Sequence, residues 1–169
     1  MFPVNKNDMN QVERIASLID HSILHPVHTN ADLKEGCEVA ARYRVASLCV
    51  KPYAVRQALE YLEGSGVPVA SVVGFPHGNS SIGVKAYETS EALRDGATEI
   101  DMVPNLGKII QGDWSYAEAE ISALVTLTKQ YGALLKVIFE TDYLPLDEIK
   151  ITLCRICTDM EVDFVKTST

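Results

Sequence analysis

Three ionisable residues stand inside otherwise apolar, β-rich runs: Asp101 in Glu-Ile-Asp-Met-Val, Lys136 in Leu-Leu-Lys-Val-Ile-Phe and Lys166 in Asp-Phe-Val-Lys-Thr-Ser-Thr. A charge left alone in a core is costly or reverts to its neutral form, so these side chains are expected to share a polar interior and meet. Strand alternation permits it. Asp101 and Val103 can point inward while Ile100 and Met102 face a helix layer; Lys136 and Ile138 can point inward while Leu135 and Val137 face out. Phe164, Lys166 and Ser168 share one face of the last run.

Two roles fit this trio. One is structural: Asp101 pairs with a lysine and fills the interior. The other is chemical. Two lysines on adjacent strands repel each other, which lowers an amine from its reference pKa of ~10.4. A neutral amine is the nucleophile that forms a Schiff base with a carbonyl, and a neighbouring aspartate can shuttle its protons. The trio therefore points to carbonyl chemistry through an imine.

The elements that must position these residues are readable as a series of βα units. Strands are predicted over Leu18–Leu24, Ala46–Val50, Val69–Phe75, Glu99–Val103, Leu134–Glu140 and Val162–Thr167. Asn30 is expected to cap a helix with Leu33, Cys37, Ala40 and Ala41 on its apolar face. Pro52 starts one with Val55, Ala58, Leu59 and Leu62, ended by Gly64. Asp113 opens a longer helix carrying Trp114, Ala117, Ile121, Leu124 and Val125, with Gly132 just past its end. A last helix follows Pro145 and buries Ile149, Leu153, Ile156 and Met160. Such a succession makes an open doubly wound sheet or a closed barrel. No GxGxxG turn or Walker A loop follows the first strand, which runs instead into His25-Pro26-Val27-His28. Chemistry-bearing residues on several strands are the habit of a barrel. The expected fold is α/β, a (β/α)8 (TIM-type) barrel, incomplete, with about six βα units in a single domain over residues 1–169.

Composition bounds the rest. The 169 residues are 47% hydrophobic and 22% charged, which excludes disorder, collagen and coiled coil and predicts a soluble domain. A net charge of -8 with no basic run excludes a nucleic-acid or anionic-membrane surface. Met1–Arg14 is polar, without the apolar stretch of a signal peptide, and nothing approaches the ~20 apolar residues that span a bilayer. The expected location is cytoplasmic. Four cysteines, Cys37, Cys49, Cys154 and Cys157, are sparse for a disulfide scaffold, and Cys157 falls on the apolar stripe of its helix. His21 and His25 lack a third ligand, so no metal site is expected.

Six motifs also carry a family resemblance: Ile19-Asp20-His21-Ser22-Ile23-Leu24, Ala46-Ser47-Leu48-Cys49-Val50, Val73-Gly74-Phe75-Pro76, Glu99-Ile100-Asp101-Met102-Val103, Lys136-Val137-Ile138-Phe139-Glu140-Thr141 and Asp163 through Thr169. In order and spacing they resemble deoxyribose-phosphate aldolase, from about Ile15 to the last residue. The resemblance implies a class I, metal-free aldolase without cofactor. Such an enzyme reversibly cleaves 2-deoxy-D-ribose 5-phosphate to D-glyceraldehyde 3-phosphate and acetaldehyde. It assigns the Schiff base to Lys166 and proton transfer to Asp101, and makes Lys136 a site-lining neighbour. Asp20 and Thr169 are expected substrate contacts.

The family continues beyond the KTST motif through a Gly-rich loop and two more βα units, supplying a second lysine and phosphate-binding loops. Thr169 is the last residue here. The expectation is thus a barrel lacking its last two strand-helix units, belonging either to an active aldolase or to an inactive remnant that binds a phosphosugar or partner. Open edges on the first and sixth strands predict self-association into homo-oligomers.

Overall fold

The computed structural model describes residues 6–169, with side-chain surroundings from Gln11 onward; the first five residues of the polar Met1–Arg14 segment lie outside the described residues. Among the described residues six strands are hydrogen-bonded in chain order, β1 Asp20–Ile23, β2 Ser47–Val50, β3 Val69–Val73, β4 Glu99–Met102, β5 Leu134–Ile138 and β6 Phe164–Lys166. Each lies inside its predicted window. Helices α1 Lys6–Ala16, α2 Asn30–Tyr43, α3 Val55–Tyr61, α4 Ile82–Arg94, α5 Leu106–Ile110, α6 Trp114–Tyr131 and α7 Asp147–Asp159 alternate with them. This is the order of the first six units of a (β/α)8 barrel. The chain forms two compact units, Met1–Ala70 and Ser71–Thr169, the boundary falling within β3.

In the first unit β1 and β2 are parallel, with Asp20 opposite Ser47 and Ile23 opposite Val50. Every residue of β2 is buried, as expected for a strand covered on both faces. Helix α2 starts from a capping box: Asp32 N donates to Thr29 Oγ1, and Thr29 N donates back to Asp32 Oδ2. The cap is therefore Thr29, not Asn30, because Thr29 takes the extended conformation and Asn30 is the first helical residue. The helix buries Leu33, Gly36, Cys37 and Ala40. Gly36 packs closely on β1: a Cβ there would stand 2.4 Å from Ile23 Cδ1, so the Ile23 side chain would have to shift. Strand β1 ends at Ile23, so His25 lies beyond it.

In the second unit β4, β5 and β6 are parallel neighbours. Helix α6 packs on β5, and α6 and α7 bury Ala117, Ile121, Leu124, Leu153 and Ile156. Burying each such aliphatic side chain is worth ~1.5–3 kcal/mol for the largest. Asp113 caps α6 through Tyr116 N, and Gly132 closes it at φ 66°, both as expected. Helix α4 packs on α6. It escaped the periodicity reading because its buried face is Lys85, Thr89, Ala92 and Leu93, a stripe half of which is polar. No helix among the described residues is long and apolar enough to cross a membrane.

Candidate active site

Register decides which of the strand-borne charges meet. Asp101 of β4 lies opposite Lys136 of β5, and Lys136 lies opposite Phe164 of β6, so Asp101, Lys136, Phe164 and Lys166 all project from one face. Lys166 is itself opposite Ile138. Its Nζ nevertheless donates to Asp101 Oδ2 at 2.5 Å, crossing over β5. Lys136 Nζ stands 3.6 Å from the other carboxylate oxygen, Asp101 Oδ1. The three residues singled out in the sequence are brought together.

Glu99 joins them, and the sequence reading did not assign it a role. It sits two residues before Asp101, hence on the same face, and its Oε2 lies 2.5 Å from Lys136 Nζ. The result is an alternating chain, Glu99, Lys136, Asp101, Lys166, two acids and two bases. The pairwise repulsion expected between the lysines is therefore offset: each amine has a carboxylate oxygen 2.5 Å away, Glu99 Oε2 for Lys136 and Asp101 Oδ2 for Lys166. Parity along β4 was the signal that could have found Glu99. Asp101 and Lys136, in the middle, are 0% and 6% exposed, and the two ends are more open, Glu99 at 12% and Lys166 at 29%. An incoming carbonyl thus reaches Lys166 first.

The end of β6 is held to β5 by groups of its own motif. Leu135 N donates to Asp163 Oδ2 at 2.8 Å, fixing where β6 begins. Phe139 N donates to Lys166 O and Thr141 N to Thr167 O, each at 2.8 Å. Between them Glu140 turns the chain out of β5 at φ 49°, and its Oε2 accepts from Thr169 N at 3.1 Å. Thr169 is thus placed by Glu140 at the end of β6. Asp20 stands in the first unit, where it accepts from Ser47 Oγ at 2.8 Å. Among the cysteines, Cys154 is exposed and Cys157 buried, and no disulfide joins any pair. Burial pushes the Cys157 thiol up to about 12 and the Cys37 thiol up to about 11.

An amine and a carboxylate in contact on one face of parallel strands is an arrangement suited to imine chemistry, and it coincides with a family match. The model of the DeoC/LacD family aldolases fits residues 14–169. The chain belongs to that aldolase family. Among curated relatives, the deoxyribose-phosphate aldolase of Rhodopirellula baltica is 43% identical over 159 residues, covering 94% of this chain and 66% of that protein. That of Caldicellulosiruptor saccharolyticus is 46% identical over 158 residues, covering 93% and 71%. The solved deoxyribose phosphate aldolase of Aeropyrum pernix superposes with a TM-score of 0.85 at 32% identity, covering 97% of this chain and 71% of that one. The chain spans about two thirds of the length of the curated relatives it matches.

Proposed function

We propose that this aldolase acts through a Schiff base on Lys166, reversibly cleaving 2-deoxy-D-ribose 5-phosphate to D-glyceraldehyde 3-phosphate and acetaldehyde. The observation that carries the reading is the 2.5 Å contact between Lys166 Nζ and Asp101 Oδ2 at the most exposed end of an otherwise buried charge chain. In the neutral form the Lys166 amine adds to the aldehyde carbon of the open-chain sugar. The carbinolamine then loses water to give a protonated imine. A base removes the proton of the C3 hydroxyl, the C2–C3 bond breaks, and its electron pair flows to the imine nitrogen. Glyceraldehyde 3-phosphate leaves, and an enamine remains on Lys166. Protonation at C2 and hydrolysis by water release acetaldehyde and restore the amine.

Asp101 accepts the Lys166 proton before attack and returns protons in the later steps. Lys136 lines the site and orients Asp101 from 3.6 Å; Glu99 balances the charge of Lys136. The family's small-molecule substrates call for no metal or cofactor at these residues. The -8 net charge supports a phosphosugar partner over a polyanion, and four cysteines outside any disulfide support a reducing, cytoplasmic setting.

The test is reductive trapping. The protein incubated with acetaldehyde, or with deoxyribose 5-phosphate, and then borohydride should gain one reduced adduct, mapped by peptide mass to Lys166. An adduct on Lys136 instead, or on no lysine, overturns the assignment.

A further inference from the structure

Lys85 of α4 and Glu120 of α6 are fully buried, and neither belongs to the charge chain around Lys166. Lys85 Nζ donates to Gly78 O at 2.7 Å, to Val103 O at 2.7 Å and to Glu120 Oε1 at 2.5 Å. Those three bonds use every proton of an ammonium group. Glu120 Oε2 accepts from Asn105 N at 2.8 Å. Each backbone group involved lies just beyond the C-terminal end of a strand: Gly78 in the loop after β3, Val103 and Asn105 in the chain after β4.

The loop after β3 is shaped around this lysine. Gly74 has φ +62°, and a Cβ on it would stand 2.6 Å from Lys85 Cε. A Cβ on Gly78, φ +68°, would stand 2.0 Å from Pro104 O. Gly74 N donates to Glu88 Oε2 at 2.7 Å, three residues along α4 from Lys85. Val103 N also donates to Val73 O at 3.0 Å, so the chain after β4 is held from both its amide and its carbonyl. Burial works against both charges, lowering the Lys85 amine and raising the Glu120 carboxyl. A buried ion pair is in general a poor source of stability, since apolar residues of the same volume often serve as well. Its distinctive contribution here is geometric: three directed bonds onto two loops, tied together by the Lys85–Glu120 contact.

We propose that Lys85 and Glu120 are positioning residues for the chemistry at Lys166. They clamp the chain immediately after Asp101, two residues on at Val103, to the Gly74–Gly78 loop, and thereby hold the Asp101 carboxylate in line with Lys166 Nζ. This inference rests on the aldolase reading above.

The deciding experiment uses the full chain carrying Lys85→Met together with Glu120→Gln, which removes both charges, keeps the volumes and leaves an oxygen for Asn105 N. Retro-aldol kinetics are measured well below the melting temperature, beside borohydride trapping with acetaldehyde. Expected are a melting temperature close to that of the unaltered protein, continued trapping at Lys166, and kcat reduced by roughly the 100-fold that ~1 Å of misplacement brings, with little change in KM. A folded double variant with unaltered kcat overturns the clamp while leaving the aldolase reading intact. Failure of the unaltered protein to trap at Lys166 sinks the aldolase reading, and the clamp with it. If the double variant does not fold, Glu120→Gln alone decides: unaltered kcat in that folded variant overturns the proposal, and a lowered kcat with trapping retained supports it.

Discussion

Lys166 Nζ and Asp101 Oδ2 are 2.5 Å apart although 65 residues separate them in the chain and β5 runs between their strands. The contact is diagonal. Asp101 is opposite Lys136, and Lys166 is opposite Ile138, so the long Lys166 side chain passes over β5 with Lys136 beside it. This places one carboxylate between two amines, with one oxygen toward each.

Replacing Asp101 by Asn keeps the shape of the side chain and removes its capacity to take a proton. Asp101→Asn should leave the far-ultraviolet circular dichroism unchanged while turnover falls by roughly 100- to 10,000-fold. Near-normal turnover in a folded Asn variant would assign Asp101 to the fold alone.

Glu99→Ala removes the carboxylate 2.5 Å from Lys136, a lysine whose side chain is only 6% exposed. Breaking one side of a buried pair typically costs ~3–5 kcal/mol, and the loss should appear as a lowered urea midpoint. Glu99→Gln should lose less. Equal midpoints for Glu99→Ala and the unaltered protein would mean that Lys136 does not depend on Glu99.

The cysteines should separate by reactivity. At pH 8 an aromatic disulfide reagent should modify Cys154 in the native protein and spare Cys37, Cys49 and Cys157, which are buried. The pH dependence has a definite sign. Cys157 rises from 9.0 to about 12 on folding, so the folded state holds a proton that the unfolded state releases. Stability should therefore fall as pH climbs above about 9, and Cys157→Ala should flatten that decline. A steeper decline in the Ala variant would contradict the burial effect.

Gly78→Ala should destabilise by at least ~1–2 kcal/mol, the cost of a left-handed non-glycine residue. A Cβ there also meets the Pro104 carbonyl at 2.0 Å, a backbone group that has no rotamer to yield. Gly36→Ala, whose obstacle is the movable tip of Ile23, should cost less, and thermal melts of the two variants give the order.

The six strands, the alternating α/β order and the convergence of Asp101, Lys136 and Lys166 were legible in the sequence, because a charge in an apolar run has few places to go and strand parity names the face. The capped helices α2 and α6 were legible for the same local reasons, α2 with its cap one residue off. Local pattern could not supply the register between strands, which is what turns three inward charges into a diagonal Lys166–Asp101 contact and recruits Glu99 beside Lys136. It also hid α4 and the Lys85–Glu120 pair. A lysine on a helix reads as solvent-facing until a carboxylate from another helix and two loop carbonyls surround it, and those groups come from residues 78, 103 and 120, which only the tertiary fold brings to residue 85.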